Sequence, residues 1–195
     1  MPLSTLGAVG GPLIGAALLT PAAVPQWSAI LQAVGSFLVS NTLVLPGTMS
    51  AAGSAVTGKG AFTVSGSASS LGQQLAAAAG SPASDLKAIA LWTSIATDII
   101  NDVQSNGQAN TTSFVANPSG GPVSGTGTLS FSSPALGAAI PPSIQCVDPA
   151  GAGAWLTVGG ILEVQIAALA VVLATPIGFA SPNGGGALTG SGTLS

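Results

Sequence analysis

The chain of 195 residues contains no histidine, no tyrosine and no arginine, and only two lysines, Lys59 and Lys87. Five acids, Asp85, Asp98, Asp102, Asp148 and Glu163, complete a charged fraction of 4%. General acid–base catalysis draws on His, Asp, Glu, Lys and Tyr, and phosphate clamping on Arg and Lys, so most solution enzymology is set aside at once. A net charge of -3 with two bases is equally unsuited to nucleic acid, whose binding requires several cations to displace counterions. The single cysteine, Cys146, rules out an intrachain disulfide framework, and without histidine no Cys-His nucleophile exists. A small, partly buried thiol is expected there.

Candidate chemistry is correspondingly thin. Asp98 and Asp102 stand four apart on one helical face with no third ligand near in sequence, and are expected to form a solvated polar face rather than a metal site. Neither lysine lies in an S-x-x-K pattern, and the Gly-x-Gly pairs do not open a helix in the manner of a dinucleotide loop. No catalytic, cofactor or metal residues are assigned, and no small-molecule substrate is expected.

What replaces charge is Gly, Ala, Ser, Thr and Pro around an ordinary apolar fraction of 47%. Soluble chains usually carry about a quarter charged residues. Two stretches are apolar enough to raise the question of a membrane. Trp155 to Ala180 exceeds the roughly 20 residues of a bilayer helix, but contains Glu163, Gln165 and Pro176 and has no flanking Lys or Arg. Leu3 to Val24 is interrupted by Gly10, Gly11, Pro12 and Pro21, and lacks the basic start of a signal peptide. Membrane insertion is therefore not expected.

Three tryptophans organise the rest. Apolar residues recur at matching offsets in Trp27, Ile30, Val34, Leu38; in Trp92, Ile95, Ile99, Val103; and in Trp155, Val158, Leu162, Ile166. Steps of three and four put each set on one helical face. A Leu-Gly pair precedes each tryptophan (Leu6-Gly7, Leu71-Gly72, Leu136-Gly137), and a glycine pair in an alternating run follows (Gly58 and Gly60, Gly125 and Gly127, Gly190 and Gly192). The order predicts three tandem pseudo-repeats of about 65 residues, 1–66, 67–132 and 133–195, sharing one fold. Each is read as helix, helix, β-hairpin, giving an α+β chain in a pseudo-threefold arrangement.

In the middle repeat, Leu71 to Ala79 is expected as a short helix. A longer one starts with Ser84 as cap and Asp85 in the first turn and runs to Gln104. Strands are expected over Thr111 to Ala116 and Val123 to Phe131 around a turn at 117–121. Asn41 and Asn106 are expected to end their helices, whereas the third helix shows no such stop before AVVLATPIGF. The paired glycines allow close backbone approach or a bulge near a crowded axis, or serve only tight packing.

The helix Trp92 to Asn106 with Gly125 to Ser130, and Trp155 with Gly190 to Ser195, resemble the small Ala/Gly/Ser/Thr-rich structural proteins of tailed-bacteriophage virions. That resemblance implies a non-enzymatic role in the tail or baseplate, with other virion proteins as partners in a symmetric assembly formed in the host cytoplasm. Capsid decoration and a membrane-active pore or lysis protein are the alternatives. Depletion of charge agrees with surface buried against neighbouring chains, because interface cores are poor in charged residues.

Overall fold

The computed structural model describes residues 3–111, 113–172 and 178–195. Its helices are α1 (Leu3–Ala17), α2 (Val24–Asn41), α3 (Ala68–Ala78), α4 (Leu86–Ser105), α5 (Leu136–Ser143) and α6 (Pro149–Ala167). The main strands are β1 (Thr42–Leu45), β4 (Lys59–Val64), β5 (Gly107–Asn110), β7 (Thr126–Phe131), β8 (Ala170–Val172) and β11 (Gly192–Leu194). Between them lie the short strands β2 (Ser50–Ala52), β3 (Ala55–Thr57), β6 (Gly121–Pro122), β9 (Ala180–Ser181) and β10 (Gly186–Ala187). The chain is α+β.

The apolar stripes read from the sequence fall inward. Ile30, Val34 and Leu38 of α2, Ile95, Ile99 and Val103 of α4, and Val158, Leu162 and Ile166 of α6 are all buried, with the three tryptophans packed partly buried against the same core. Each helix packs on its neighbours in the chain and α6 returns to α1, so the six helices close into a ring. Helices approach closely where no side chain intervenes. A Cβ on Gly137 of α5 would lie 2.5 Å from the Leu156 carbonyl oxygen of α6. Gly7 and Gly72 are filled in the same way by Ser28 and Thr93, each the residue after a tryptophan.

The strands close as well. The main strands form a six-stranded antiparallel barrel in the order β1-β11-β8-β7-β5-β4, with β4 returning to β1. Period-two alternation sends Val44, Phe62, Ala109, Leu129, Val171 and Leu194 into the interior, where all are buried. The barrel is a packed core. Beyond it, the short strands and bridges form a second circuit. Ala52 pairs Ala55, Ala55 pairs Val115, Val115 pairs Ser124, Pro122 pairs Ala180, Ala180 pairs Thr189, and Ala187 pairs Ser50.

Several local expectations need correction. The strand expected over Thr111 to Ala116 is β5 at Gly107–Asn110, because the chain enters the barrel one residue after the helix ends; of the expected segment only Val115 makes a bridge. Thr112 lies outside the described residues. The cap of α4 is Asp85, whose carboxylate accepts from the Ala88 amide at 3.0 Å; Ser84 stands outside the helix. Asp148 caps α6 in the same way through the Gly151 amide at 2.7 Å. The third helix does stop, at Ala167, and its apolar continuation turns into β8. The stretch from Trp155 to Ala180 is thus helix then strand, with Pro176 and the rest of 173–177 outside the described residues. Asn41 is the last residue of α2 and its amide donates to the Phe37 carbonyl at 2.8 Å. Asn106 caps α4 with right-handed backbone angles, not the left-handed ones of a glycine-type stop.

Candidate functional site

Each tryptophan lies toward the start of a long helix, whose other end runs straight into the barrel. Because a helix rises about 1.5 Å per residue, the turns joining α1 to α2, α3 to α4 and α5 to α6 lie roughly 27–30 Å from the barrel ends of those helices. Near this far end Trp155 meets Trp27 and Trp92 edge-to-face, with ring centroids 6.3 and 6.4 Å apart. A shallow apolar depression of about 230 Å³ opens beside them, lined by Leu18, Trp27, Gly151, Ala154, Trp155 and Val158. The neighbouring turns expose large apolar side chains: Leu19, Leu86 and Val147 are 87%, 75% and 93% exposed.

The glycine pairs occupy two distinct environments. Gly60, Gly127 and Gly192 are inward-facing, buried barrel positions. A Cβ on Gly60 would lie 2.6 Å from Met49 Cε, and one on Gly127 2.8 Å from Phe114 Cζ. Their partners Gly58, Gly125 and Gly190 have φ of 91°, 115° and 95°, where a side chain would be strained and would press on the carbonyl oxygens of Thr48, Ser113 and Gly178 respectively. Met49, Phe114 and Phe179 are buried next to these carbonyls, and the Phe114 and Phe179 rings stack edge-to-face at 5.9 Å. These three plugs went unread in the sequence. Their signal was present, since they stand at the same spacing of about 65 residues as Leu6, Leu71 and Leu136.

The carboxylates depart furthest from expectation. Asp102 is 6% exposed, not part of a solvated face, and its Oδ2 is buried without a donor while Oδ1 accepts from Asn106 Nδ2 at 2.7 Å. Burial, with the Glu163 carboxyl beside it, pushes the Asp102 carboxyl up to about 6 against the pull of the Asn106 bond. Asp98 is half-buried and accepts from Ser143 Oγ at 2.5 Å; burial raises its carboxyl too, the Ser143 bond offsetting part of this. Glu163, 4% exposed, takes the Ala135 and Leu136 amides at 2.7 and 2.6 Å on one oxygen. No spacing rule could have joined residues 102 and 163, which meet only through packing.

The remaining candidates stand apart. Lys59 is exposed and its ammonium donates to Gln108 across the β4–β5 pair; Lys87 is exposed on α4; the Cys146 thiol is free and half-buried. Among the described residues no three His, Cys, Asp or Glu side chains gather to hold a metal. With Asp102 and Glu163 buried, only Lys59, Asp85, Lys87, Asp98 and Asp148 supply charge to 8716 Å² of surface. Comparison with known proteins finds no matching family model, no similar curated protein and no similar solved structure.

Proposed function

We propose that the chain is a non-enzymatic structural component of a tailed-phage particle, in the tail or baseplate, built from three tandem modules, 1–66, 67–132 and 133–195, in a pseudo-threefold arrangement. The observation that carries this reading is double closure: six helices and six strands each form a complete ring within one chain. Each module contributes two helices and two barrel strands, a tryptophan near the helix turns and a buried plug (Met49, Phe114 or Phe179) beyond the barrel. Such a chain offers three similar flanks around an axis. It can seat on a threefold or sixfold ring of other virion proteins, as closed point-group assemblies require matching symmetry.

The surface supports the same reading. For a mass of 18.4 kDa a compact monomer exposes about 8,200 Å², close to the 8716 Å² found, so the missing charge is not explained by unusual burial within the chain. An almost uncharged exterior with exposed Leu and Val at the helix turns fits contact with neighbouring chains. Deleting the gene segment and imaging the resulting particles tests the proposal: tails or baseplates that fail to assemble support it, and fully assembled infectious particles lacking no density overturn it.

One observation favours the membrane-active alternative. Pro21–Asn41 and Pro149–Ala167 are long and apolar enough to cross a bilayer. Both belong to the closed helix ring, and the barrel has a filled interior in place of a lumen, which weighs toward the structural role. Fractionation separates the two: recovery with particles without detergent supports the virion role, and recovery only with detergent-extracted membranes supports the alternative.

A further inference from the structure

The buried Asp102 and Glu163 lie on different helices, α4 and α6, and converge at the start of α5, where Ala135 lines the same groove as Asp102 and gives its amide to Glu163. Glu163 caps a third helix. Ala135 at the start of α5 has no side-chain cap of its own, and the orphan amides of Ala135 and Leu136 both bond to Glu163 Oε1. Both amide donors are thus spent on one oxygen of that carboxyl, at the positive end of a helix. Asp102 has the opposite surroundings. Its one bond, from Asn106, leaves Oδ2 buried with no donor, facing a second carboxyl.

We propose that Asp102 and Glu163 share a single proton, held on Asp102 Oδ2 and donated to Glu163, and that this pair is a pH-sensitive clasp joining α4 to the α5–α6 hairpin. The proton satisfies the orphan oxygen and removes the repulsion of two buried like charges in one step. No cation is positioned to do this instead. Of the elements packed on α4, α3, α5 and β5 carry no ionisable side chain and β4 carries Lys59; α6, which touches α4 through Trp155 and Trp92, presents Glu163. The Gln104 side chain reaches the Val64 amide at the opposite end of β4, roughly 16 Å along the strand from Lys59. Lys59 itself is engaged with Gln108. On α4, Asp98 is turned to Ser143 of α5, and Asp85 and Lys87 are at the distant N-terminus. A groove of about 220 Å³, lined by Asp98, Asn101, Asp102, Ser105, Asn106 and Ala135 among others, gives water a route to the pair when the proton leaves.

The direction follows from linkage. The folded chain keeps a proton on Asp102 that the unfolded chain has already released, so the clasp contributes fully below the ordinary carboxyl range and its contribution is lost as pH rises through about 6. The full effect on the unfolding constant is roughly a hundred-fold.

Carboxyl-carbon NMR titration combined with urea unfolding from pH 4.5 to 8.5 tests the pair. The wild-type chain is expected to show an Asp102 midpoint near 6 and an unfolding constant that rises up to that midpoint and levels off above it. D102N carries a permanent amide donor at the position of the proton and is expected to lose this part of the profile, keeping only the slope that the raised Asp98 carboxyl contributes. E163Q removes the like charge, so the Asp102 midpoint falls toward the ordinary range. An Asp102 midpoint in the ordinary range in the wild-type chain, or parallel pH profiles for wild type and D102N, overturns the proposal.

Discussion

Replacing Gly125 by alanine separates two things that a glycine can supply, backbone freedom and space. Gly184 is the control: its φ is 83° and an added Cβ would meet nothing within 4 Å. Forcing alanine into the left-handed region costs about 1–2 kcal/mol at either site. At Gly125 the Cβ would additionally overlap the Ser113 carbonyl, 2.9 Å from its carbon and 3.2 Å from Phe114 Cα. Relief means parting the two segments where Val115 and Ser124 exchange backbone bonds of 2.8 and 2.9 Å. Two such bonds contribute about 0.5–1.5 kcal/mol each, and shifting Phe114 forfeits an aromatic contact with Phe179 worth about 0.5–1.5 kcal/mol. The Gly125→Ala chain is therefore expected to lose about 2–4 kcal/mol more than Gly184→Ala. At about 2–4 °C per kcal/mol for a chain of this size, its Tm by circular dichroism falls about 4–16 °C below that of the control. Gly58→Ala and Gly190→Ala, which press on the Thr48 and Gly178 carbonyls, follow the Gly125 variant. Equal melting temperatures for the Gly125 and Gly184 variants would refute the reasoning that space at the carbonyl is what the first glycine of each pair provides.

Trp155→Ala removes both edge-to-face contacts at the helix turns, whereas Trp27→Ala and Trp92→Ala remove one each, so the first is expected to cost about 0.5–1.5 kcal/mol more than either of the others in urea unfolding. Asp148→Ala deprives α6 of its cap and is expected to lower stability by about 1 kcal/mol, with Asp85→Ala matching it at α4; differential hydrogen exchange localises each loss to the first turn of its helix. Because the exposed charges are few, the melting temperature is expected to move by less than about 2 °C between 0.05 and 0.5 M sodium chloride; a larger shift would point to electrostatic support beyond that seen among the described residues.

Helices were the legible part of the sequence, because burial on one side of a helix writes itself as steps of three and four. The stripes at Ile30, Ile95 and Val158 face the core as their spacing predicts. Strands of three to six residues leave a weaker trace, and β5 was misplaced because its inward positions, Gly107 and Ala109, are too small to mark a hydrophobic alternation. The same smallness explains the barrel: six strands enclose little room, so glycine at 60 and 127 is what allows Met49 and Phe114 to approach. Caps were half legible. Asp85 was recognised as belonging to a helix start, but whether it or Ser84 takes the cap depends on the backbone angles at the junction. The carboxylate pair was illegible in principle, since Asp102 and Glu163 are brought together by the order in which the helices close, and a local reading assigns Asp102 to water.

Closure also constrains how the chain can assemble. The barrel has no edge strand, so its backbone offers no unpaired row of amides and carbonyls for strand addition by a neighbour. Any association through the barrel would then use side chains, and with five exposed or half-exposed charges it could not draw much on electrostatic steering. What remains is apolar and small-polar area: the Leu and Val side chains at the helix turns, and the outward face of β1, where Leu43 and Leu45 are 45% and 38% exposed. The outward positions of β5 and β7 are polar, with the Asn110 side-chain amide donating to the hydroxyls of Thr128 and Ser130. The outward faces of β1 and of the β5–β7 pair are therefore unlike in surface. A neighbour meeting the barrel flank would tell the apolar β1 from the polar β5 and β7, whereas at the helix turns it would meet exposed Leu and Val at each of the three junctions, at Leu19, Leu86 and Val147.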